Sequence, residues 1–340
     1  MLEETKDLSV IDEKDRANKF ISSLLFSRAT VFHPSARITP SMTKRMAEVA
    51  AMGGVSFDHP LEVVTVNSFG KSFRIELHNN YLLHSHRDVL ETLLAYAKLI
   101  KLDDEAYKSG GKMTWRAVLA TLDDAKTLPN SSDQSLDEEI DSNAMVLSMS
   151  MYELATRMKI KPTRSNYKLI EDRIFQLNTS KLFICELDAD GNISNRKPLS
   201  FVKDFMLCYD KSKNKNGKSD DVVANHIFIV PDQRLLEAIK SHGYYYRLEQ
   251  HKITNYKSYA VRSFIKWFTT HNLDFLHTKK LNWVIDEYMK SVASSVGGSF
   301  KYDLRKNLLD VRDQIEADFN LQIVSIDGKN YQLFKVCNHD

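Results

Sequence analysis

Cysteine is scarce in this 340-residue chain, and its pattern excludes two kinds of site. Cys185, Cys208 and Cys337 form no Cys-x-x-Cys pair, and no histidine stands at zinc-finger spacing from them. We therefore expect reduced thiols and no metal site. No apolar run reaches the roughly 18 residues of a membrane-spanning helix. Met1–Asp15 is rich in acids and lacks the apolar region of a signal peptide, so a cytoplasmic protein is predicted.

Enzyme signatures are missing as well. There is no His-Glu-x-x-His, Gly-x-Ser-x-Gly or Gly-x-Gly-x-x-Gly motif. Gly110-Gly111-Lys112 resembles part of a phosphate loop, but Met113 stands where Ser or Thr is required. The histidine pair His84 and His86 favours a turn before a helix over a metal site. We expect no catalytic residue, no metal and no cofactor. A nuclease or relaxase is the enzymatic alternative.

A strong excess of one charge is also absent. The net charge is +2 and the pI about 8.2, so any binding to nucleic acid depends on local basic surfaces. Hydrophobic residues make up 43% of the chain, which is a globular value. The length suits two domains of ordinary size, each with its own core.

The order of hydrophobic patterns predicts an α+β fold with a helical N-terminal extension and two winged helix-turn-helix domains in tandem. The extension carries helical patterns at Ala17–Phe26 and Met42–Ala51. The predicted boundaries are 1–60 for the extension, 61–222 for the first winged-helix domain and 223–340 for the second.

The start of the first domain combines strands, a helix and a polar stretch. Alternating residues predict strands at Glu62–Val66 and Ser72–Leu77. A stripe spaced three or four residues apart predicts a helix over Ser85–Lys101. Residues 123–143 are polar and acidic, which indicates a surface loop or flexible insertion.

A helix, a turn, a second helix and a hairpin follow. Ser150 is a good N-cap for a helix at Met151–Met158, and Thr163 for a helix at Arg164–Leu177. The hairpin is predicted from Leu182–Leu187 and Val202–Tyr209. This is the element order of a winged helix-turn-helix.

The second half repeats that order without repeating the sequence. Helical patterns at Lys257–Thr270, Thr278–Met289 and Ser299–Phe319 precede two alternating strands. The first of these helices is predicted to bury Ala260, Phe264, Trp267 and Phe268, and Ser299 is the predicted N-cap of the third. Asp327-Gly328 between those strands is a strong hairpin signal.

The helix at Arg164–Leu177 is the best candidate for contacting DNA. Tyr167, Ile170, Ile174 and Leu177 fall on one side, which would seat the helix on its own domain. Basic and hydroxyl residues near its N-terminal end would then reach phosphates and base edges in the major groove. These candidates are Lys161, Thr163, Arg164, Ser165 and Lys168. The alternative is a solvated basic face on an ordinary amphipathic helix.

Further candidates lie on the last helix and on the two hairpins. Leu304, Leu308, Val311 and Ile315 form the apolar stripe of Ser299–Phe319. The predicted contacts are Ser299, Lys301, Tyr302 and Arg305 on the helix, with Asn192, Arg196, Lys197 and Lys329 on the hairpins as wing residues. The alternative for the helix is a core element with mixed surface charges. The lysine-rich loop Asp210–Asp221 could add phosphate contacts or serve only solubility.

Two segments resemble the TrfA-like plasmid replication initiators. Met151-Tyr152-Glu153-Leu154 followed by Asn166–Ile174 and Leu177 resembles the first DNA-binding region of that family. Tyr259–Phe264 with Trp267, Phe268 and His271 resembles the opening helix of its second winged helix. The RepC initiators of IncQ type are related in architecture. The resemblance spans roughly residues 60–336, while the first 60 residues and the 123–143 segment depart from it.

The resemblance implies an initiator in the bacterial cytoplasm that binds direct repeats at a plasmid origin. It implies double-stranded DNA, the host replicative helicase and host initiator proteins as partners, and no cofactor. Whether the free protein is a monomer or a homodimer stays open. Recognition helices would enter successive major grooves about 34 Å apart. Three alternatives stay open: a winged-helix transcriptional repressor, a nuclease, and a winged-helix module that binds proteins only.

Overall fold

The computed structural model describes most of the chain. The described residues are 2–5, 19–53, 56–68, 70–103, 106, 108–121, 134–140, 145–209, 223–235, 245–271, 273–292 and 296–336. The hydrophobic pattern also predicts a helix at Asp232–His242, most of which lies outside these residues. The lysine-rich loop Asp210–Asp221 and Cys337 lie outside them as well. In the part that is described, no helix has the length and hydrophobicity to cross a membrane.

The chain forms two compact units, and both are discontinuous in sequence. Unit 1 comprises residues 1–21, 88–179 and 200–243, and unit 2 comprises 22–87, 180–199 and 244–340. The predicted domains were continuous stretches divided after residues 60 and 222, and those boundaries stay a prediction.

Helices occur throughout the chain. They are α1 Leu24–Arg28, α2 Pro40–Ala51, α3 His84–Tyr96, α4 Trp115–Leu119, α5 Met151–Arg157, α6 Arg164–Thr179, α7 Gln250–Asn255, α8 Tyr259–Phe268, α9 Leu273–Leu276, α10 Leu281–Lys290, α11 Phe300–Asp310 and α12 Arg312–Phe319, with a 3-10 turn at Gln134–Asp137.

Strands lie between these helices along the chain, and those of the two larger sheets pair antiparallel. They are β1 Leu2–Thr5, β2 Lys19–Ser23, β3 Glu62–Ser68, β4 Lys71–His78, β5 Lys98–Leu102, β6 Met113–Thr114, β7 Glu139–Ile140, β8 Val146–Ser150, β9 Lys181–Leu187, β10 Ile193–Leu199, β11 Val202–Cys208, β12 His226–Pro231, β13 Tyr245–Glu249, β14 Leu321–Ser325 and β15 Tyr331–Lys335.

Unit 1 is built on a five-stranded sheet in the order β1-β5-β8-β12-β11. Apolar residues of the sheet and of α4 form one buried cluster that includes Ile100, Trp115, Val146 and Phe228. Trp115 keeps its indole N–H satisfied by donating to Asp204 Oδ2 at 3.3 Å. Burial of this cluster provides the main driving force for folding of the unit.

Unit 2 combines a four-stranded sheet with a group of helices and a terminal hairpin. The sheet order is β10-β9-β4-β3, so strands more than 100 residues apart in sequence are neighbours. Residue 72 of β4, for example, pairs with Leu187 of β9.

The helices of unit 2 pack around α8. The Phe264 ring meets Tyr288 of α10 edge to face at 5.4 Å, and Phe268 meets Phe319 of α12 at 5.7 Å. The Tyr288 hydroxyl, fully buried, donates to Ser263 Oγ at 2.9 Å. α8 is therefore the central helix on which α10 and α12 rest, as expected from its predicted buried aromatic residues.

Several predicted elements differ in the structure. The predicted extension is not wholly helical, because Leu2–Thr5 and Lys19–Ser23 are strands. The helix predicted over Ser85–Lys101 ends at Tyr96, and Lys98–Leu102 continues as β5 because it pairs with β1 and β8.

The predicted loop at 123–143 holds ordered structure in its described part. Residues 134–140 form the 3-10 turn and β7, and Leu136 and Ile140 are buried in the core of unit 1. Residues 134–140 therefore belong to the core of unit 1, because the buried side chains of Leu136 and Ile140 attach the segment to it.

The first hairpin also has a different second strand. β9 pairs with β10, whereas the predicted partner, Val202–Cys208, pairs with β12 in unit 1. The residues of β10 show no hydrophobic alternation, and only the last of its seven residues is buried.

Candidate nucleic-acid interface

The first candidate helix, α6, is seated as its apolar stripe predicts. Ile170, Ile174 and Leu177 are fully buried, and Tyr167 is half-buried. At the C-terminal end, the Asn178 amide donates to the carbonyls of Val202 and Lys203 at 3.2 and 3.0 Å. The helix therefore rests against β11 with its other side toward solvent.

The Glu171 side chain adds a second anchor for α6. Its carboxylate accepts the backbone N–H of Ala224 at 2.5 Å. Burial raises the pKa of Glu171, while the hydrogen bond from Ala224 opposes that shift. This contact fixes the chain just before β12 to the middle of the helix.

The candidate residues of α6 cluster at its N-terminal end. Lys161, Arg164, Ser165 and Lys168 are exposed. The preceding turn is closed by Asn166, whose amide donates to the Lys161 carbonyl at 2.8 Å. Two positively charged side chains therefore lie one turn apart on the exposed face of a helix, which suits contacts to successive phosphates.

The remaining candidate of this region, Thr163, is half-buried. Its hydroxyl lies 3.2 Å from that of Ser165. The helix that precedes it, α5, begins as predicted: Ser150 Oγ accepts from the Glu153 backbone N–H at 3.1 Å. The two helices and the short turn between them therefore form as the sequence predicts.

Exposed apolar side chains on this face were not predicted. Leu169 and Phe175 of α6 are 43% and 56% exposed, and Tyr152 of α5 is 63% exposed. The periodicity alone could have found Leu169 and Phe175, since both fall outside the stripe of Ile170, Ile174 and Leu177.

On the second candidate helix, α11, Lys301 and Tyr302 are exposed and Arg305 is half-buried. Leu304 and Leu308 are fully buried, and Tyr302 is 68% exposed. Ser299 precedes the helix and is exposed, but its side chain makes no capping hydrogen bond, so the predicted N-cap role is wrong. The predicted single helix is interrupted at Val311, beyond which α12 begins.

Two of the basic candidates on α11 have partners within unit 2. Lys301 pairs with Asp286 of α10 through its ammonium group. Arg305 Nη2 donates to the Lys329 carbonyl at 2.6 Å, and its guanidinium lies 5.4 Å from the Tyr331 ring centre. The helix and the hairpin are thus joined by a charged hydrogen bond and a cation–π contact.

The tip of this hairpin is a tight, internally bonded turn. Gly328 has a φ of 77°, a backbone conformation that residues with a side chain rarely adopt. Asp327 accepts hydrogen bonds from the Asn330 side chain and from the backbone N–H groups of Asn330 and Lys329. These bonds lower the pKa of Asp327. The turn therefore fixes where the exposed Lys329 is presented.

The predicted residues of the first hairpin fall into two groups. Asn192 and Lys197 are exposed, and the Asn192 backbone donates to Asp188 Oδ1 at 2.8 Å in the turn. Arg196 instead lies over the sheet, 3.3 Å from the buried Glu76 carboxylate and 5.2 Å from the Phe57 ring centre. Arg196 therefore balances a buried charge of unit 2, a partner that the sequence did not reveal.

Within unit 2, α11 and the second hairpin bring Lys301, Tyr302, Arg305 and Lys329 onto one stretch of surface. In unit 1, one turn and one helix end bring Lys161, Thr163, Arg164, Ser165 and Lys168 together. Across the described residues, no group of three or more His, Cys, Asp or Glu side chains is placed to hold a metal ion.

Comparison with known proteins yields structures alone. No family model and no curated protein matches the sequence. The chain is similar to crystal structures of domains 2 and 3 of RctB. One has a TM-score of 0.47 and 12% identity, over 82% of this chain and 91% of that chain. Another has a TM-score of 0.40 and 10% identity, over 81% and 91%. Likeness at this level bears on neither function nor site residues.

Proposed function

We propose that the chain is a plasmid replication initiator that binds direct repeats at an origin through two winged helices. The observation that carries the proposal is the link from Arg305 on α11 to Lys329 and Tyr331 on the hairpin. Such a link presents an exposed helix end and an exposed turn as one surface. A winged helix uses these two elements, the helix in the major groove and the wing along the backbone.

The C-terminal part of unit 2 supplies the other elements of a winged helix. α8, α10 and α11 are followed by the β14–β15 hairpin. The segment just before α10 pairs with β15 as a short third strand. Lys280 forms an antiparallel bridge with Gln332, and the Thr278 backbone N–H donates to the Leu333 carbonyl at 2.8 Å. The hairpin is thereby tied to the start of α10.

The second DNA-binding element of the proposal is the pair of helices α5 and α6 in unit 1. The short turn between the helices and the exposed Arg164 and Lys168 support a role for α6 as a recognition helix. In unit 2, the exposed Asn192 and Lys197 of the β9–β10 hairpin would contact the DNA backbone. Arg196 would contribute by holding the hairpin on its sheet.

The side chains of the two candidate helices would contribute to both affinity and specificity of DNA binding. Lysine and arginine side chains contribute salt-dependent affinity through phosphates, whereas contacts with base edges give specificity. Tyr302, Ser165 and Thr163 add hydroxyl groups suited to either contact. The initiator would then open adjacent DNA and engage the host helicase and host initiator proteins, and a homodimer would be an additional state. These partners and the lack of catalytic activity are part of the proposal.

A selection from a fragmented plasmid library followed by footprinting tests the proposal. We expect enrichment of tandem direct repeats beside an AT-rich stretch, lost in a Tyr302→Ala, Lys301→Ala variant that keeps its melting temperature. A single inverted repeat would instead favour a winged-helix repressor. Metal-dependent cleavage of supercoiled plasmid would favour an enzyme. No enrichment at moderate salt would overturn DNA binding and favour a protein-interaction module.

A further inference from the structure

The ion pair between Asp286 and Lys301 joins α10 to the N-terminal end of α11. We infer that Asp286 is a specificity-determining residue, which restrains Lys301 so that DNA of random sequence is bound less tightly. This inference rests on the proposed function, because it concerns the same helix. Asp286 is an acidic residue that lies beside the basic Lys301 on the proposed DNA-binding surface.

The position of Asp286 follows from the packing of α10. Leu281, Val284, Ile285 and Tyr288 are all buried, so the opposite side of the helix faces solvent. Asp286 lies on that side, and its side chain is 51% exposed. Lys301, the second residue of α11, is 46% exposed. Both partners are therefore accessible to an incoming strand of DNA.

A half-exposed pair of this kind is weak because water and salt screen it. Lys301 can therefore exchange the carboxylate for a phosphate without disturbing the fold. Until it does so, the pair carries no net charge. Asp286 also repels phosphate directly, since both groups are negative.

Random and specific complexes should respond differently to this pair. Binding to random DNA depends on the net positive charge that displaces counterions from phosphates. Reading of bases depends instead on where a donor is held, and the carboxylate restricts the position of the Lys301 ammonium group while leaving other N–H donors available. Asp286 therefore lowers non-specific affinity and helps to place the side chain for base contact.

The chain contains a matched control on the same helix. Glu287 is the next residue, and it pairs with Lys290 at 2.6 Å within α10. Asp286→Asn and Glu287→Gln each remove one negative charge and keep the shape of the side chain. A difference between them therefore reports the contact with Lys301 and not the change in net charge.

The experiment measures the affinity of the full chain for a random-sequence duplex about three helical turns long, at several salt concentrations. We expect Asp286→Asn to bind this duplex about three- to tenfold more tightly at low salt, with a salt slope steeper by roughly one. Its preference for a duplex selected from the plasmid library should fall. Glu287→Gln should resemble the wild type, and the gain should disappear when Lys301→Ala is added.

Three results would overturn the inference. One is an unchanged affinity in Asp286→Asn with an intact melting curve. Another is an equal gain in Glu287→Gln, and the third is a gain that persists in the Lys301→Ala background. If the folded wild type binds neither duplex even at low salt, the proposed function fails together with the inference. Binding by the wild type without a difference between the variants removes only the role of Asp286.

Discussion

Arg305 Nη2 donates to the carbonyl oxygen of Lys329 at 2.6 Å, across 24 residues of chain. The same guanidinium lies over the Tyr331 ring. Helix α11 and the hairpin tip are thereby coupled through one side chain, which gives the first of four predictions.

Replacement of Arg305 by methionine should loosen the hairpin without unfolding unit 2. Methionine keeps an apolar stem but cannot donate to Lys329, so we expect a loss of about 1 kcal/mol in unfolding free energy. Amide exchange at the hairpin should accelerate, and affinity for DNA should fall. Arg312→Met, on the exposed start of α12, is the control. Unchanged amide exchange at the hairpin would show that the hydrogen bonds of Asp327 hold the turn without a contribution from Arg305.

Replacement of Arg164 and Lys168 together by alanine should weaken DNA binding and leave the fold intact. Both side chains are exposed on α6, away from the buried Ile170 and Ile174. If each contacts one phosphate, the slope of log affinity against log salt should decrease by roughly two. Fluorescence anisotropy at several salt concentrations measures this slope.

The control for that double variant is Lys44→Ala with Lys108→Ala, which removes the same charge from exposed positions elsewhere. A similar loss in both double variants would mean that only net charge matters. No loss in Arg164→Ala, Lys168→Ala, with an intact melting curve, would exclude α6 as a recognition helix.

Replacement of Ile170 by aspartate should unfold unit 1. The side chain is fully buried, and an aspartate there would place a charge in an apolar environment without a partner. Leu169→Asp is the matched control, because the adjacent Leu169 is 43% exposed. We expect Leu169→Asp to melt close to the wild type and Ile170→Asp to lose its cooperative transition. Equal melting of the two variants would contradict the assigned face of α6.

Acidification should destabilise unit 2 through its buried histidines. Burial lowers the pKa of His33 from 6.5 to about 4, and burial also lowers the pKa values of His78 and His271. The unfolded state then binds more protons than the folded state below the ordinary histidine pKa. Stability should therefore decline as the pH falls from 6.5 toward 4, by about 3 kcal/mol for His33 as an order of magnitude.

Urea unfolding at several pH values tests this dependence. His33→Gln removes one titrating group and should flatten the curve in that window, even if it lowers stability at neutral pH. An equally steep curve in His33→Gln would show that other groups control the acid response.

Sequence patterns were reliable where one face of an element is buried by its own neighbours. The stripe on α6, the cap at Ser150 and the hairpin at Asp327-Gly328 were all predicted and are present. These features depend on local spacing and local hydrogen bonds. The candidate residues of α11 are likewise on its exposed side, although their partners were not foreseen.

The remaining features depend on partners far away in sequence. β5 continued a helical stripe, but pairing with β1 and β8 makes it a strand. β10 has almost no buried residue and relies on hydrogen bonds with β9. Arg196 shares an exposed strand with Lys197, yet the buried Glu76 holds it, and no local pattern encodes that choice.

The sheet order β10-β9-β4-β3 has a consequence for how the chain reaches its native state. The sheet can form only after residues 181–199 have been synthesised, because β9 and β10 pair next to the earlier strands at residues 62–78. Loop closure over that distance must precede any gain from pairing, so refolding of unit 2 should be slow compared with that of helical proteins of its size. No continuous segment of the chain contains all of unit 2 without also containing parts of unit 1. A shortened chain beginning at residue 180 would lack β3 and β4, two of the four strands of this sheet.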